Sequence, residues 1–559
     1  MESAGQRRST LDLIMNQIRR KRTGPERRPL GRFLSWSSER SGEERARSSG
    51  AEPPEEPQDL GWGRVSVALQ KLGLKSDSRS LSFSHCDVTV TELLELAALL
   101  QLLPLLEELD LSWNPLVGGG LAGLTSHLHH VGRLKTLRLC SCRLDADDVG
   151  ALGEALGSVP LLEVLDLSWN GAVGGALQGL LAKLHPTLKE LHLASCGLTA
   201  ADAAPLGEAL PSLPRLRLLD VSGNRRLGQE GDGFGGLAAS LSHAASVGTL
   251  RLRSCGLSGS SLDRLGSSLR CLASVRELDL SANKGVSGHL HRLTFHLSHL
   301  TQLEVLDLHL CGLTHADVGA LVQVLPCLPR LTELDVSANV AVGDAVHALV
   351  SALPLTRLRR LPLNNCRLSE ASVAAAALVV PGLLSVDLSW SKVVGGRLSL
   401  LLNALQPAVL QELLLSSCDL SAEDLLHLGA AGKRGLLTSL RLLDVSYNGL
   451  RSGGGWSALF SAAEGLSSLE DLDLSLRPAS STSCSAWMPA LLCALPRLQA
   501  LTRLAMPRWT MSEQERRQLE HAVRGRSLLL ELQEPESRPQ SGSWRSSGQE
   551  GPEGGAGEE

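Results

Sequence analysis

The sequence predicts an α/β solenoid: a horseshoe with a parallel β-sheet on its inner face and helices outside. Three observations predict it. A short L-x-L pattern recurs about every 28 residues through most of the 559-residue chain. Five positions after the first leucine stands a Cys in one version of the unit and an Asn in the other. After most Cys-type strands comes an N-cap residue followed three positions later by an acid, the signature of a helix start. Units of this size bury their apolar faces only against each other, so they stack into one continuous core.

The strands begin at Leu81, Leu109, Leu137, Leu165, Leu191, Leu219, Leu250, Leu278, Leu306, Leu334, Leu361, Val386, Leu413, Leu443, Leu472 and Leu504, about sixteen in all. Alternation turns the leucines into the core and the residues between them onto the open face. The slot that follows holds Cys86, Asn114, Cys142, Asn170, Cys196, Asn224, Cys255, Asn283, Cys311, Asn339, Cys366, Cys418 and Asn448. There the chain leaves the strand, and backbone groups need partners from the next turn. Asn offers both a donor and an acceptor, and Cys a small buryable side chain with a weak donor. The slot is therefore read as a structural ladder, with inert thiols. Helix starts are expected at Thr89/Glu92, Asp145/Asp148, Thr199/Asp202, Thr314/Asp317 and Ser421/Asp424.

These alternating units, LDLSWN at Leu109 and LRLCSC at Leu137 among them, resemble the leucine-rich repeats of the ribonuclease-inhibitor class. The likeness runs over roughly 65–532. It implies the horseshoe fold and a place in the cell interior, and little about biochemistry.

Three irregularities interrupt the pattern. A Gly-rich insertion at 228–236 lengthens one unit. Pro362 falls in a strand that should be central and has no N–H for the ladder. Ser391 stands where Asn is expected, after a unit of only 25 residues between slots. The last two predict a local change of curvature near 361–391.

Composition narrows the function classes. Aromatics are scarce, so the core is mostly Leu, Val and Ala, and the net charge of −5 gives no push toward nucleic acid or anionic membrane. No apolar run is long enough to span a bilayer, and the first residues are polar and basic, unlike a signal peptide. The 12 cysteines should remain thiols, and their spacing is that of the repeat, not of a zinc site. Enzyme signatures such as H-E-x-x-H, G-x-S-x-G and the phosphate loop are absent. Gly429–Arg434 has the wrong spacing for the last of these and reads as a helix end. His289, His291, His296 and His299 lie within one helical stretch, yet Leu293, Leu297 and Leu300 form the buried stripe beside them. They read as a His-rich outer flank. No metal and no cofactor are expected.

The ends differ from the middle. Residues 1–60 are rich in Ser, Arg, Pro and Glu and are expected to be disordered, as are residues 533–559. The first 35 residues hold nine Arg/Lys against three acids. Leu11, Ile14, Met15 and Ile18 have helical spacing before Arg19–Arg22. Such a segment suits a partner groove, a membrane surface reached by residues 10–35, nuclear import, or a passive tail. The solenoid with its end caps is assigned to 61–532, capped at 60–80 and at 511–532, the latter with a polar helix from Ser512 to Val523.

Candidate binding residues lie on the inner face. Between the strand leucines stand Asp110, Asp166, Asp220, Asp279, Asp307, Asp335, Asp387, Asp444 and Asp473, with Arg138, His192 and Arg251 in alternate strands. The signs alternate from 110 to 279, which puts cations between neighbouring carboxylates, and run uniformly acidic from Asp279 through Asp335. Trp113, Trp169, Trp390 and Tyr447 are expected near the rim, where Trp and Tyr suit interface anchoring. The Gly pairs after the tryptophans read as turns. The reading is a monomeric, cytoplasmic, non-catalytic scaffold that binds a protein on its concave face, with a nuclear fraction possible through Arg19–Arg22. The alternative is an enzyme inhibitor in the manner of ribonuclease inhibitor, weakened by the alternating charges.

Overall fold

The computed structural model describes residues 76–228, 233–450 and 453–532. Sixteen three-residue strands pair in parallel, in chain order, as a ten-stranded sheet from Ser80–Ser82 to Glu333–Asp335 and a six-stranded sheet from Ser385–Asp387 to Leu529–Glu531. The inward-facing first leucine of each L-x-L unit from Leu81 to Leu504, with Val386 in one of them, is buried, at most 5% exposed. The core continues through Leu, Val and Ala from helices and turns along the whole stack. The fold class is that predicted.

The two unit types differ in their helices. Cys-type strands lead into regular helices such as Val90–Leu100, Ala146–Ala155, His315–Val324 and Ala422–Lys433. All five predicted capping boxes are present. Ser258/Ser261 and Ser369/Ser372 add two serine versions. Most Asn-type strands lead into shorter helices, such as Leu121–Thr125 and Leu398–Ala404, with no side-chain cap of their own. The acid of the following unit caps them instead. Asp148 accepts N–H bonds from its own Asp145 at 3.1 Å and from Gly119 and Leu121 of the preceding unit at 2.7 and 3.0 Å. Asp424 does the same for Ser421, Gly396 and Leu398 at 2.8, 2.7 and 3.2 Å. One carboxylate thus closes two helix starts, which locks Asn-type and Cys-type units into pairs.

The Gly pairs follow from that lock. Gly119, Gly175 and Gly396 have φ of +77°, +85° and +76°. A Cβ on Gly118, Gly174 or Gly395 would meet a carbonyl oxygen of the next unit at 2.0 to 2.1 Å. The first glycine permits close approach and the second a left-handed turn.

The sheet divides where Pro362 stands. The expected strand at Leu361 is reduced to two single bridges, Glu333↔Arg360 and Arg360↔Ser385. Flanking bonds persist, with Leu334 N–H on Arg360 C=O at 3.2 Å and Leu363 N–H on Asp387 C=O at 3.0 Å. The missing proline donor accounts for the break. At the far end the polar helix Glu513–Val523 starts from its Ser512 capping box. A strand absent from the sequence reading, Leu529–Glu531, then closes the sheet. An additional parallel pair joins Thr482–Ser483 to Trp509–Thr510. The insertion at 228–236 lies partly, and residues 1–75 and 533–559 wholly, outside the described residues, with the N-terminal cap and the basic segment among them. Among the described residues no helix is long and apolar enough to cross a membrane.

Candidate functional site

The ladder slot sets the geometry of the rim. Asn170 Oδ1 accepts from Cys142 N–H and Leu144 N–H at 3.0 Å each, and its Nδ2 donates to Leu139 and Leu167 C=O at 2.9 and 2.7 Å. Asn114, Asn283 and Asn448 repeat the full set. The buried cysteines make less of the position: Cys142 Sγ donates to Leu111 C=O at 3.2 Å. Burial, the largest cause, pushes the thiols of Cys142, Cys196, Cys311 and Cys418 up to about 12 and that of Cys366 to about 11. At those values almost no thiolate forms near neutral pH.

One residue before the slot, the backbone enters the left-handed region in fourteen successive turns, from His85 to Tyr447. Gly223 fills one of them, and small residues such as Ser141, Ala282 and Ala338 fill others. Trp113, Trp169 and Trp390 share φ +65°, and Tyr447 has +57°. A bulky side chain there costs conformational energy that glycine does not. The four aromatics are not equivalent. Trp113 is half-buried and stacks on His85, with ring centroids 5.4 Å apart and planes 11° off parallel, so it already has a partner within the chain. Tyr447 is half-buried and its carbonyl accepts from Arg477 Nε at 2.8 Å. Trp169 and Trp390 remain 47% and 62% exposed.

The nine aspartates between the strand leucines have a local task that sequence reasoning missed. In every case Oδ1 accepts the N–H two residues further on, from Asp110 with Ser112 at 2.9 Å to Asp473 with Ser475 at 3.0 Å. This closes the strand end as an Asx turn. The signal lay in the recurrent D-x-S triplet, with His309 in place of Ser after Asp307.

Register places the cations as expected, with Arg138 beside Asp110 and Asp166, and Arg251 beside Asp220 and Asp279. The ion pairs nonetheless go elsewhere. Arg251 holds Glu277 at 2.8 Å and reaches Asp220 only at 3.9 Å. His192 faces Glu190 at 3.3 Å. Arg138 has no ion pair among the described residues. These glutamates belong to a second row on the same face, one residue before the strand leucine, a position that is acidic in six strands: Glu108, Glu190, Glu277, Glu333, Glu412 and Asp471. The alternation of sign along the aspartate row is therefore only part of the face, and the second row makes the floor acidic.

The uniform run is closely spaced. Asp279 pairs in register with Asp307, and Asp307 with Asp335. Burial and then the two flanking carboxylates push Asp307 up to about 8, against the opposing pull of the His309 N–H and Arg253. Burial likewise raises Asp279 and Asp387. Asp444, raised by burial and by Asp473, comes to about 6.

The histidine stretch lies on and beside the helix His291–Leu297. Arg270 Nε donates to His296 Nδ1 at 3.1 Å, and its guanidinium lies over the exposed Phe295 ring, 5.8 Å from the centroid. No three His, Cys, Asp or Glu side chains among the described residues form a group that could hold a metal ion. A buried aromatic cluster also went unforeseen. Trp487 lies 5.5 Å from Trp456, 5.5 Å from Phe460 and 4.9 Å from Trp509, centroid to centroid. Trp509 occupies the ladder slot of its unit, and its indole N–H donates to Leu474 C=O at 2.7 Å, as an Asn Nδ2 would.

A parallel sheet inside, helices outside and an alternating Asn/Cys ladder define a leucine-rich repeat protein. A family profile described as Leucine Rich repeat matches residues 185–207. The chain is 32% identical over 422 residues to a protein named Ribonuclease inhibitor of Sus scrofa, covering 70% of this chain and 87% of that one. The Ribonuclease inhibitor of Mus musculus is 31% identical, with coverage of 64% and 81%. NACHT, LRR and PYD domains-containing protein 12 of Homo sapiens is 34% identical, over 49% of this chain but only 26% of its own length. The chain belongs to the ribonuclease-inhibitor family of leucine-rich repeat proteins.

Proposed function

We propose that this chain is a non-catalytic, cytoplasmic scaffold, monomeric on its own, that holds a protein partner on its concave face. The observation that carries this reading is the pair Trp169 and Trp390. Each is a large indole left exposed on the rim, in a left-handed turn that seven other units fill with Gly, Ala or Ser. An indole so placed contributes little to the fold and suits interface anchoring. The acidic floor between would select a partner with basic groups, while Arg138 and Arg251 set local register. Trp113 and Tyr447 would contribute less, being already engaged.

The test is proximity labelling in cells with the full chain and the Trp169→Ala/Trp390→Ala variant. Loss of a defined set of neighbours supports the reading; an unchanged set rejects it. Deletion of residues 1–60 asks separately whether Arg19–Arg22 direct a nuclear fraction.

The second row of glutamates favours one alternative reading, that of an inhibitor of a basic enzyme. Two relatives carry the name Ribonuclease inhibitor. Titrating the purified chain against a basic ribonuclease tests it, and undiminished activity at saturating protein would reject it.

A further inference from the structure

The concave floor is not uniform in how its charges are met. At one end of its central stretch Arg251 neutralises Glu277, and at the other Arg360 is bonded to Glu333. Between these two clamps lie Asp279, Asp307 and Asp335, adjacent in register on three neighbouring strands. Each spends Oδ1 on the turn N–H beyond it. The Oδ2 atoms of the three have no hydrogen bond or ion pair among the described residues. Arg251 stands in register beside Asp279, and Arg253 acts on Asp279 and Asp307, yet neither arginine makes an ion pair with these two among the described residues. The sheet face over Glu277–Asp279, Val305–Asp307 and Glu333–Asp335 therefore presents three carboxyl groups at about one inter-strand spacing, roughly 4.8 Å, with no cation on the strands between them, and their crowding is relieved on Asp307 by a proton that an approaching cation can replace.

The same chain carries the complementary charge. Its first 35 residues contain Arg7, Arg8, Arg19, Arg20, Lys21, Arg22, Arg27, Arg28 and Arg32, against Glu2, Asp12 and Glu26. Reach is not limiting. A stretch of 25 residues, the number in 36–60, can span at most about 85 Å when fully extended. Eight inter-strand steps put about 38 Å between Leu81 and Leu306. Tethering makes the encounter intramolecular, so weak individual pairs act together at a high effective concentration.

We propose that the basic segment 7–32 of this chain docks on its own concave face, over the strands that carry Asp279, Asp307 and Asp335. The inference goes beyond the scaffold reading, because it needs no outside partner. Its consequence is a built-in competitor: a partner entering this face must displace the segment.

The test uses the full chain with a fluorophore on the Met1 amine and chymotrypsin, and follows the labelled fragments released by cuts after Leu11, Leu13 and Leu30 inside the docked segment, apart from those cut after Phe33 or Trp36 beyond it. Wild type is compared with Asp279→Asn/Asp307→Asn/Asp335→Asn and with Arg19→Gln/Arg20→Gln/Lys21→Gln/Arg22→Gln. The second variant leaves the solenoid untouched, so the comparison holds even if the first folds poorly. At low ionic strength wild type should release the label about fivefold more slowly than either variant, and in about 1 M salt, where the Debye length is about 3 Å, the three rates should converge. Equal rates at low salt would overturn the proposal. Protection that grows with protein concentration would overturn it too, by placing the segment on a second copy. Because the readout is cleavage of the tail, its outcome is separate from Trp-dependent capture of a partner.

Discussion

The ten strands before Pro362 and the six after it are built from the same unit but held together differently. Before the break, every Asn-type slot from Asn114 to Asn339 is filled, and each side chain bonds backbone groups of two successive turns. After it the slots read Ser391, Cys418, Asn448, Arg477 and Trp509. Ser391 Oγ is buried without a hydrogen-bond partner among the described residues. Arg477 turns outward to Asp419 at 2.9 Å. What the second half lacks in ladder it recovers in apolar mass, through Trp456, Phe460, Trp487 and Trp509. A repeat array thus has two sources of continuity, satisfied turn polarity and packed side-chain volume, and one can stand in for the other.

The largest expected effect strikes the second source. Trp487 is 1% exposed at the centre of the aromatic cluster. Trp487→Ala should cost about 4 kcal/mol. Because neighbouring units share only nearest contacts, hydrogen exchange should show the loss in the units from 442 onward first. Equal deprotection of the ten-stranded half would mean the two halves are not separately held. Asn170→Ala strikes the first source. It orphans Cys142 N–H, Leu144 N–H and Leu139 C=O in a fully buried slot, and leaves Leu167 C=O with the Cys196 thiol alone. The expected cost is about 3 kcal/mol, read by urea unfolding. Ser391→Ala, at the equivalent slot after the break, should change stability by under about 1 kcal/mol. Similar losses for the two would erase the contrast.

The contrast also has a pH signature. Asp307 is raised to about 8, so the folded chain keeps a proton there that the unfolded chain, with an ordinary carboxyl near 4, gives up. The folded state then binds more protons between about pH 4 and 8, and its stability falls across that window. Asp444 stops at about 6, so its share of the fall ends near there. After discounting for partial exposure, Asp307→Asn should recover on the order of 2 kcal/mol at pH 8 and little at pH 4. Parallel pH profiles for wild type and variant would contradict the assignment of the proton to this ladder.

Most of the fold was legible because its determinants are local and repeated. The L-x-L strands, the slot and the capping boxes each need only a few adjacent residues, and the repeat displays them many times over. Pro362 and Ser391 could be read as faults for the same reason. The site was legible only in outline. Which row of the floor pairs with which depends on inter-strand register and side-chain reach, so Glu277 rather than Asp220 as the main partner of Arg251 was not visible. The Asx turns of the nine aspartates were written in D-x-S, yet that triplet reads equally well as surface charge. Trp113 looks like Trp169 in sequence, and only the stacking of His85, one unit away, separates them. The aromatic cluster joins residues 456, 487 and 509, whose spacings follow no repeat.

The smallest effect addresses the break itself. If an incomplete ladder weakens the junction after Pro362, restoring the slot should strengthen it. In Ser391→Asn the new Oδ1 would stand where Asn170 Oδ1 stands in its own unit, opposite Cys366 N–H and Leu368 N–H. Neither of these N–H groups has an acceptor among the described residues. The new Nδ2 would face Leu363 and Leu388 C=O, and Cys418 Sγ already shares the second at 3.1 Å, as Cys142 Sγ shares Leu111 C=O with Asn114. Two satisfied donors are worth about 1 kcal/mol each, and refitting a short 25-residue unit around a larger side chain offsets part of it. The net expectation is a gain of about 1 kcal/mol, with slower exchange at Cys366 and Leu368. A loss of stability instead would show that the short unit has closed around serine. Pro362, and not the empty slot, would then be what sets the two halves apart.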